Sequence, residues 1–227
     1  MPRATDGPRR VRVLVLLDAT AARTHDSALA DYVDAVVQGL DAELVVACQP
    51  VDAAHYRCLA PHAVVEAGPA ALRFRGIRML WRQFVLPRIA RRHDVDAVHS
   101  PQPPVPLLLA RPRVVTVLSM SCFDSATPAR PGDALRRAAL RAAVRAADEV
   151  VALHPEVAKA LDRALGFLAD DVLVPPASAD LDRFAAAHRV AYRAAASLVP
   201  AETGPITLPI LSESARTLEP GGPGLRQ

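Results

Sequence analysis

Seven short apolar runs alternate with longer segments of helical periodicity along this chain, and few folds accept that order. The runs are residues 11–17 (VRVLVLL), 44–47, 63–66, 95–99, 113–118 (RVVTVL), 149–153 and 171–174. They are short, rich in branched residues and mostly unbroken by polar positions, as strands buried on both faces must be. Between the first two runs, Leu29, Tyr32, Val33, Val36, Val37 and Leu40 fall on one face of a 3.6-residue period, with Asp26 or Ser27 placed to cap the start. Residues 72–92, 133–147 and 155–165 also read as helices, the first kinked or split at Pro87 and the last opened by Pro155. Strands alternating with helices at this spacing predict an α/β fold: a doubly wound, mostly parallel, Rossmann-like sheet with helices on both faces.

The 227 residues suffice for one domain of this kind. The expected layout is a flexible leader over residues 1–10, the sheet domain over 11–184, and a further helix with a Pro/Gly-rich tail over 185–227. Five prolines and four glycines in the last 30 residues mark that tail. Aromatics are 4% of the chain, so Ala, Val and Leu must fill the core. No apolar run approaches the roughly 20 residues needed to span a bilayer. Arg12 and Asp18 break the first run too early for an export signal. Three cysteines without a C-x-x-C pair fit a reducing, cytoplasmic setting, and His25, His55, His62 and His93 show no zinc-type pairing with Cys, so no metal is expected. Net charge is only +3, which gives no reason to invoke nucleic acid.

In open parallel sheets, ligands gather at the carboxyl ends of the strands. Polar residues at those ends form the shortlist: Asp18, Thr20, Thr24 and His25 after the first run, His99 and Ser100 after the fourth, Ser119, Ser121 and Asp124 after the fifth, and His154 after the sixth. His99 and His154 rank highest, because an imidazole beside a buried strand end exchanges protons near neutral pH. No G-x-G-x-x-G, P-loop or G-x-S-x-G motif occurs, so the usual phosphate cradles and the hydrolase elbow are missing. Seven arginines crowd residues 73–92 (Arg73, Arg75, Arg78, Arg82, Arg88, Arg91 and Arg92). Spread around a helix, they read first as a solvated face and second as a peripheral contact with an anionic membrane.

From Leu80 to Phe184 the chain resembles the N-terminal half of family 4 glycosyltransferases of the GT-B fold. Four matches in order carry the resemblance: Leu80-Trp81-Arg82-Gln83 with Leu86-Pro87; Asp94-Val95-Asp96-Ala97-Val98-His99-Ser100-Pro101; Val114-Val115-Thr116-Val117; and Ala147-Asp148-Glu149-Val150-Val151-Ala152 with Val174-Pro175-Pro176 and Asp180-Leu181-Asp182-Arg183-Phe184. The resemblance implies a Rossmann-like acceptor-binding domain that works with a nucleotide-sugar-binding domain. It implies Asp18, His25 and His99 as catalytic candidates, and Thr20, Ser100, Ser119, Asp124 and His154 as substrate-binding ones. Leu118-Ser119-Met120 stands where the family carries His-Asp-Leu, Ser178 replaces a glycine, His154 a serine, and Asp18-Ala19-Thr20-Ala21 a glycine-rich turn. Only 43 residues follow Phe184, and no Glu-x7-Glu pair occurs. The expectation is therefore an acceptor-side half with no cofactor of its own, whose nucleotide-sugar donor enters with a separately encoded donor-binding subunit. The alternatives are a non-catalytic, truncated or decayed transferase domain acting as a binding module, and a small-molecule enzyme of another doubly wound family.

Overall fold

The computed structural model describes residues 13–22, 27–123, 132–166, 172–173 and 180–198. Its strands are β1 (Val15–Asp18), β2 (Leu44–Cys48), β3 (Val64–Ala67), β4 (Ala97–Ser100), β5 (Arg113–Val117), β6 (Glu149–Ala152) and β7 (Val172–Leu173). All pair in parallel, in the order β3-β2-β1-β4-β5-β6-β7. The helices are α1 (Ser27–Leu40), α2 (Ala53–Leu59), α3 (Arg75–Phe84), α4 (Leu86–Arg92), α5 (Asp133–Ala146), α6 (Pro155–Leu165) and α7 (Leu181–Ser197). The doubly wound, Rossmann-like α/β architecture expected from the sequence is the one observed.

Alternation along the strands divides the core into two layers. Val15 and Leu17 of β1 and Leu44, Val46 and Cys48 of β2 face α1, α2 and α7, while Leu16, Val45 and Ala47 face the segment that holds Leu72, Trp81, Leu86 and Ile89. Val117, Val150 and Ala152 continue that second face under α5 and α6. The strand run of residues 11–17 is shifted toward Asp18, which belongs to β1. Helix α2 had no counterpart in the sequence reading; it follows a turn opened by Pro50 and buries Ala53 and Tyr56. The predicted helix over 72–92 is two helices broken at Val85, with Pro87 in the first turn of α4, where its missing N–H costs nothing.

The helix expected from Ala185 begins at Leu181, where the Asp180 carboxylate accepts the Arg183 N–H. Its Phe184, Ala185, Ala191, Tyr192 and Ala195 are buried in one cluster with Val15 and Val33. Residues 185–197 thus share a core with the strands and do not lie outside it. The order β1, β2, β3 runs to one edge, and β4 then returns to the other side of β1. That makes the β1–β4 boundary the topological switch point, where the loops leaving two neighbouring strands part and open a crevice.

Candidate functional site

Asp18 ends β1 at that boundary. Its Oδ1 accepts the Thr20 N–H at 3.1 Å and the Thr20 hydroxyl at 2.6 Å, so the carboxylate turns the chain out of the strand. Its Oδ2 lies 2.6 Å from Arg82 Nε of α3, and Arg82 Nε also donates to Thr20 Oγ1 at 3.2 Å. Gln49, just past β2, donates from Nε2 to the Thr20 carbonyl at 2.9 Å. All four residues are buried, and the Arg82 side chain keeps only 4% of its exposure. Arg82 Nη2 has no partner among the described residues, an uncommon state for a buried donor.

Arg75, Arg78 and Arg82 recur at i, i+3 and i+7 and form one stripe of α3. Burial, reinforced by the Arg82 and Arg75 charges, pulls Arg78 below its ordinary value, and Asp18 opposes them. Among the described residues, Asp18 is the carboxylate that acts on Arg78 and Arg82, and the arginines of this stripe outnumber it. Such a stripe suits an anionic or polyhydroxyl ligand. The reading of residues 73–92 as a solvated face fails at Arg82, which is a core residue because its partner waits at a strand end.

Across the switch point, Leu17 of β1 registers with His99 of β4. Ser100 is buried at the end of β4, one position beyond that pair. His99 points to the opposite face and is fully buried, at 0% exposure. Its Nδ1 lies 2.7 Å from Tyr192 Oη and its Nε2 2.7 Å from Thr116 Oγ1. Thr116 meets Tyr32 Oη at 2.7 Å, Tyr32 meets His188 Nε2 at 2.7 Å, and His188 Nδ1 donates to the Phe184 carbonyl at 2.8 Å. His99 is therefore a core group whose nitrogens are spent on packing α7 and α1 against the sheet. The catalytic role expected of it has no geometric support. Burial, with His188 as a second cause, holds its pKa well below the imidazole range.

Ser119 is exposed after β5, and its Oγ accepts the Ser121 N–H at 3.2 Å. His154 is exposed after β6, where its carbonyl accepts from Val157 and Ala158 at the start of α6. Neither approaches Asp18 or Ser100 through any hydrogen bond. Thr24, His25 and Asp124 lie outside the described residues. The structure thus gathers Asp18 and Thr20 with Arg82 and Gln49, and sets Ser100 beside them. The sequence reading missed Gln49, Thr116, Tyr32, His188 and Tyr192. In the sequence Tyr32 reads only as part of an apolar helix face. Among the described residues, no group of three or more His, Cys, Asp or Glu side chains is placed to hold a metal.

No curated protein matches the chain. The sequence profile of Glycosyltransferase Family 4 does match, over residues 29–183, about two thirds of the chain. That interval holds the sheet from β2 to β7 and, but for Phe184, the four stretches that carry the resemblance. With this match over two thirds of the chain and the parallel sheet it folds into, the chain belongs to glycosyltransferase family 4.

Proposed function

We propose that this sheet is the acceptor-side half of a GT-B glycosyltransferase, with the acceptor seated in the crevice between the ends of β1 and β4. The observation that carries this reading is the buried Asp18–Thr20–Arg82–Gln49 cluster at the switch point of a family 4 chain. Asp18, Thr20 and Gln49 shape the floor. Arg78 and Arg75 supply the positive charge that orients an acceptor bearing phosphate, carboxylate or vicinal hydroxyls. Ser100 lines the far side. In the reaction the acceptor oxygen bonds to the anomeric carbon of the donor sugar, the bond from that carbon to the nucleotide phosphate breaks, and the acceptor proton passes to a base. Both Asp18 oxygens are committed to Thr20 and Arg82, so Asp18 holds the site together. His25, seven positions after Asp18 in the sequence, is the residue proposed to take the proton.

The nucleotide sugar needs a second α/β domain, on a continuation of the chain or on a separate subunit. The test is transfer from a labelled nucleotide sugar to an extract of cellular small molecules and lipids, with and without a family 4 donor domain. Label should enter an acceptor only when that domain is present; transfer by residues 1–227 alone would refute the division of labour. A second reading, a binding module without catalysis, draws on Leu118-Ser119-Met120 standing in place of His-Asp-Leu, with the Ser119 hydroxyl spent on a local turn. It predicts no transfer in either mixture.

A further inference from the structure

Helix α3 presents its side chains inside out. Arg82 is buried against the rim with Arg78 half-buried a turn before it, Arg75 is exposed, and Trp81 is buried beside Leu16. Ile77, Leu80 and Phe84, also at i, i+3 and i+7, face away into solvent, Leu80 with 57% of its surface exposed. An ordinary surface helix does the opposite. The apolar stripe continues onto the loop after β4. The Gln83 amide donates to the Val105 carbonyl at 2.8 Å and accepts the Leu107 N–H at 2.9 Å. Arg113 holds the same loop from below through the carbonyls of Pro106, Leu107 and Leu109. Leu107 and Leu108 are thereby held outward beside α3, Leu108 at 67% exposure. Exposed apolar side chains fixed in place by polar bonds mark an interaction surface.

Charge decides the partner. Residues 72–93 hold no Asp or Glu, and although Arg82 is buried on Asp18 and Arg92 pairs with Glu66, Arg73 and Arg88 flank the apolar stripe. Arg73 stacks on Phe74 at one end of the stripe, 4.7 Å from the ring centre, and Arg88 donates to the Phe84 carbonyl at the other. A second copy would set like charges against each other, whereas a bilayer with anionic headgroups takes apolar side chains below the phosphates and arginines among them. We propose that α3 and residues 105–109 dock this protein on an anionic phospholipid bilayer. This goes beyond the glycosyltransferase reading and does not depend on it.

The experiment is co-sedimentation of the full chain with vesicles of phosphatidylcholine containing phosphatidylglycerol, and with phosphatidylcholine vesicles alone. Binding is expected to the first and not to the second, and to weaken as salt rises. Leu80→Ser with Leu108→Ser should abolish it, while Arg73→Gln and Arg88→Gln should each weaken it roughly fivefold. Leu135→Ser on α5, at a side chain 69% exposed, should change nothing. Because the substituted side chains are exposed, unchanged circular dichroism is expected of every variant; if the leucine pair fails to fold, the arginine series alone decides. No binding to anionic vesicles, equal binding to both vesicle types, arginine variants that bind like wild type, or a stripe whose loss only dissolves a dimer would each overturn the proposal.

Discussion

Thr116 stands in the middle of a hydrogen-bond chain whose direction one carbonyl sets. The Phe184 carbonyl can only accept, so His188 Nδ1 carries a proton and its neutral Nε2 accepts from the Tyr32 hydroxyl. Tyr32 then accepts from Thr116, Thr116 accepts from His99 Nε2, and His99 Nδ1 accepts from Tyr192. Every proton in the chain is used once, which is what a buried polar group requires. Thr116→Val keeps the shape but orphans the His99 donor and strips the Tyr32 oxygen of its partner. It should cost roughly 2–4 kcal/mol in urea unfolding. Acid attacks the same chain. Burial pushes His188 down to about 4, and His99 also lies below its ordinary value. Unfolding returns both to the ordinary histidine value, so between these limits the unfolded chain binds more protons. Stability should be full at neutral pH and fall as pH drops through about 6.5 toward about 4, His188 alone contributing roughly 3 kcal/mol. Urea midpoints across that window check this. A midpoint that stays flat would show that the rings do not titrate as argued.

Helices α1 and α7 meet where α1 has no side chain. A Cβ on Gly39 would stand 2.9 Å from Ala185 Cβ, closer than two such atoms pack. Arg189 fastens the same junction, its Nε 3.1 Å from Glu43 and its Nη2 donating to the Gly39 carbonyl at 3.0 Å. Gly39→Ala removes a poor helix former, a gain of about 1 kcal/mol, yet pries the helices apart. The net effect should be a loss of about 1–2 kcal/mol in thermal or urea unfolding, partly restored when Ala185→Gly is added. A stabilised Gly39→Ala protein would contradict this packing. Elements were legible in the sequence where periodicity is local: α6 coincides with residues 155–165, and β5 and β6 with their runs to within one residue. Asp96 and Asp148, both within the stretches that carry the family resemblance, latch strand starts, accepting the N–H of Leu14 and Arg113 at 2.8 Å each. The place of α7 was not legible, because its burial rests on Tyr32, His99 and Thr116, all distant in sequence.

At the scale of the whole molecule, the parallel sheet has its topological switch point where β4 crosses to the far side of β1. Asp18, Thr20 and Ser100 could be named in advance because a strand end is visible where an apolar run stops. Arg82 could not: the arginines of α3 look evenly spread until a carboxylate 64 positions away selects one of them for burial. His99 misled for the same reason, since a strand end fixes neither the face nor what packs over it. If the ends of β1 and β4 seat the acceptor as proposed, Arg78 of α3 supplies charge that holds it. The most direct measurement is the acceptor KM of the transfer reaction, run with a donor domain, for wild type, Arg78→Gln and Arg145→Gln, the last an exposed residue of α5. KM should rise about tenfold for Arg78→Gln with kcat nearly kept, and stay unchanged for Arg145→Gln. Identical KM values for all three proteins would contradict it.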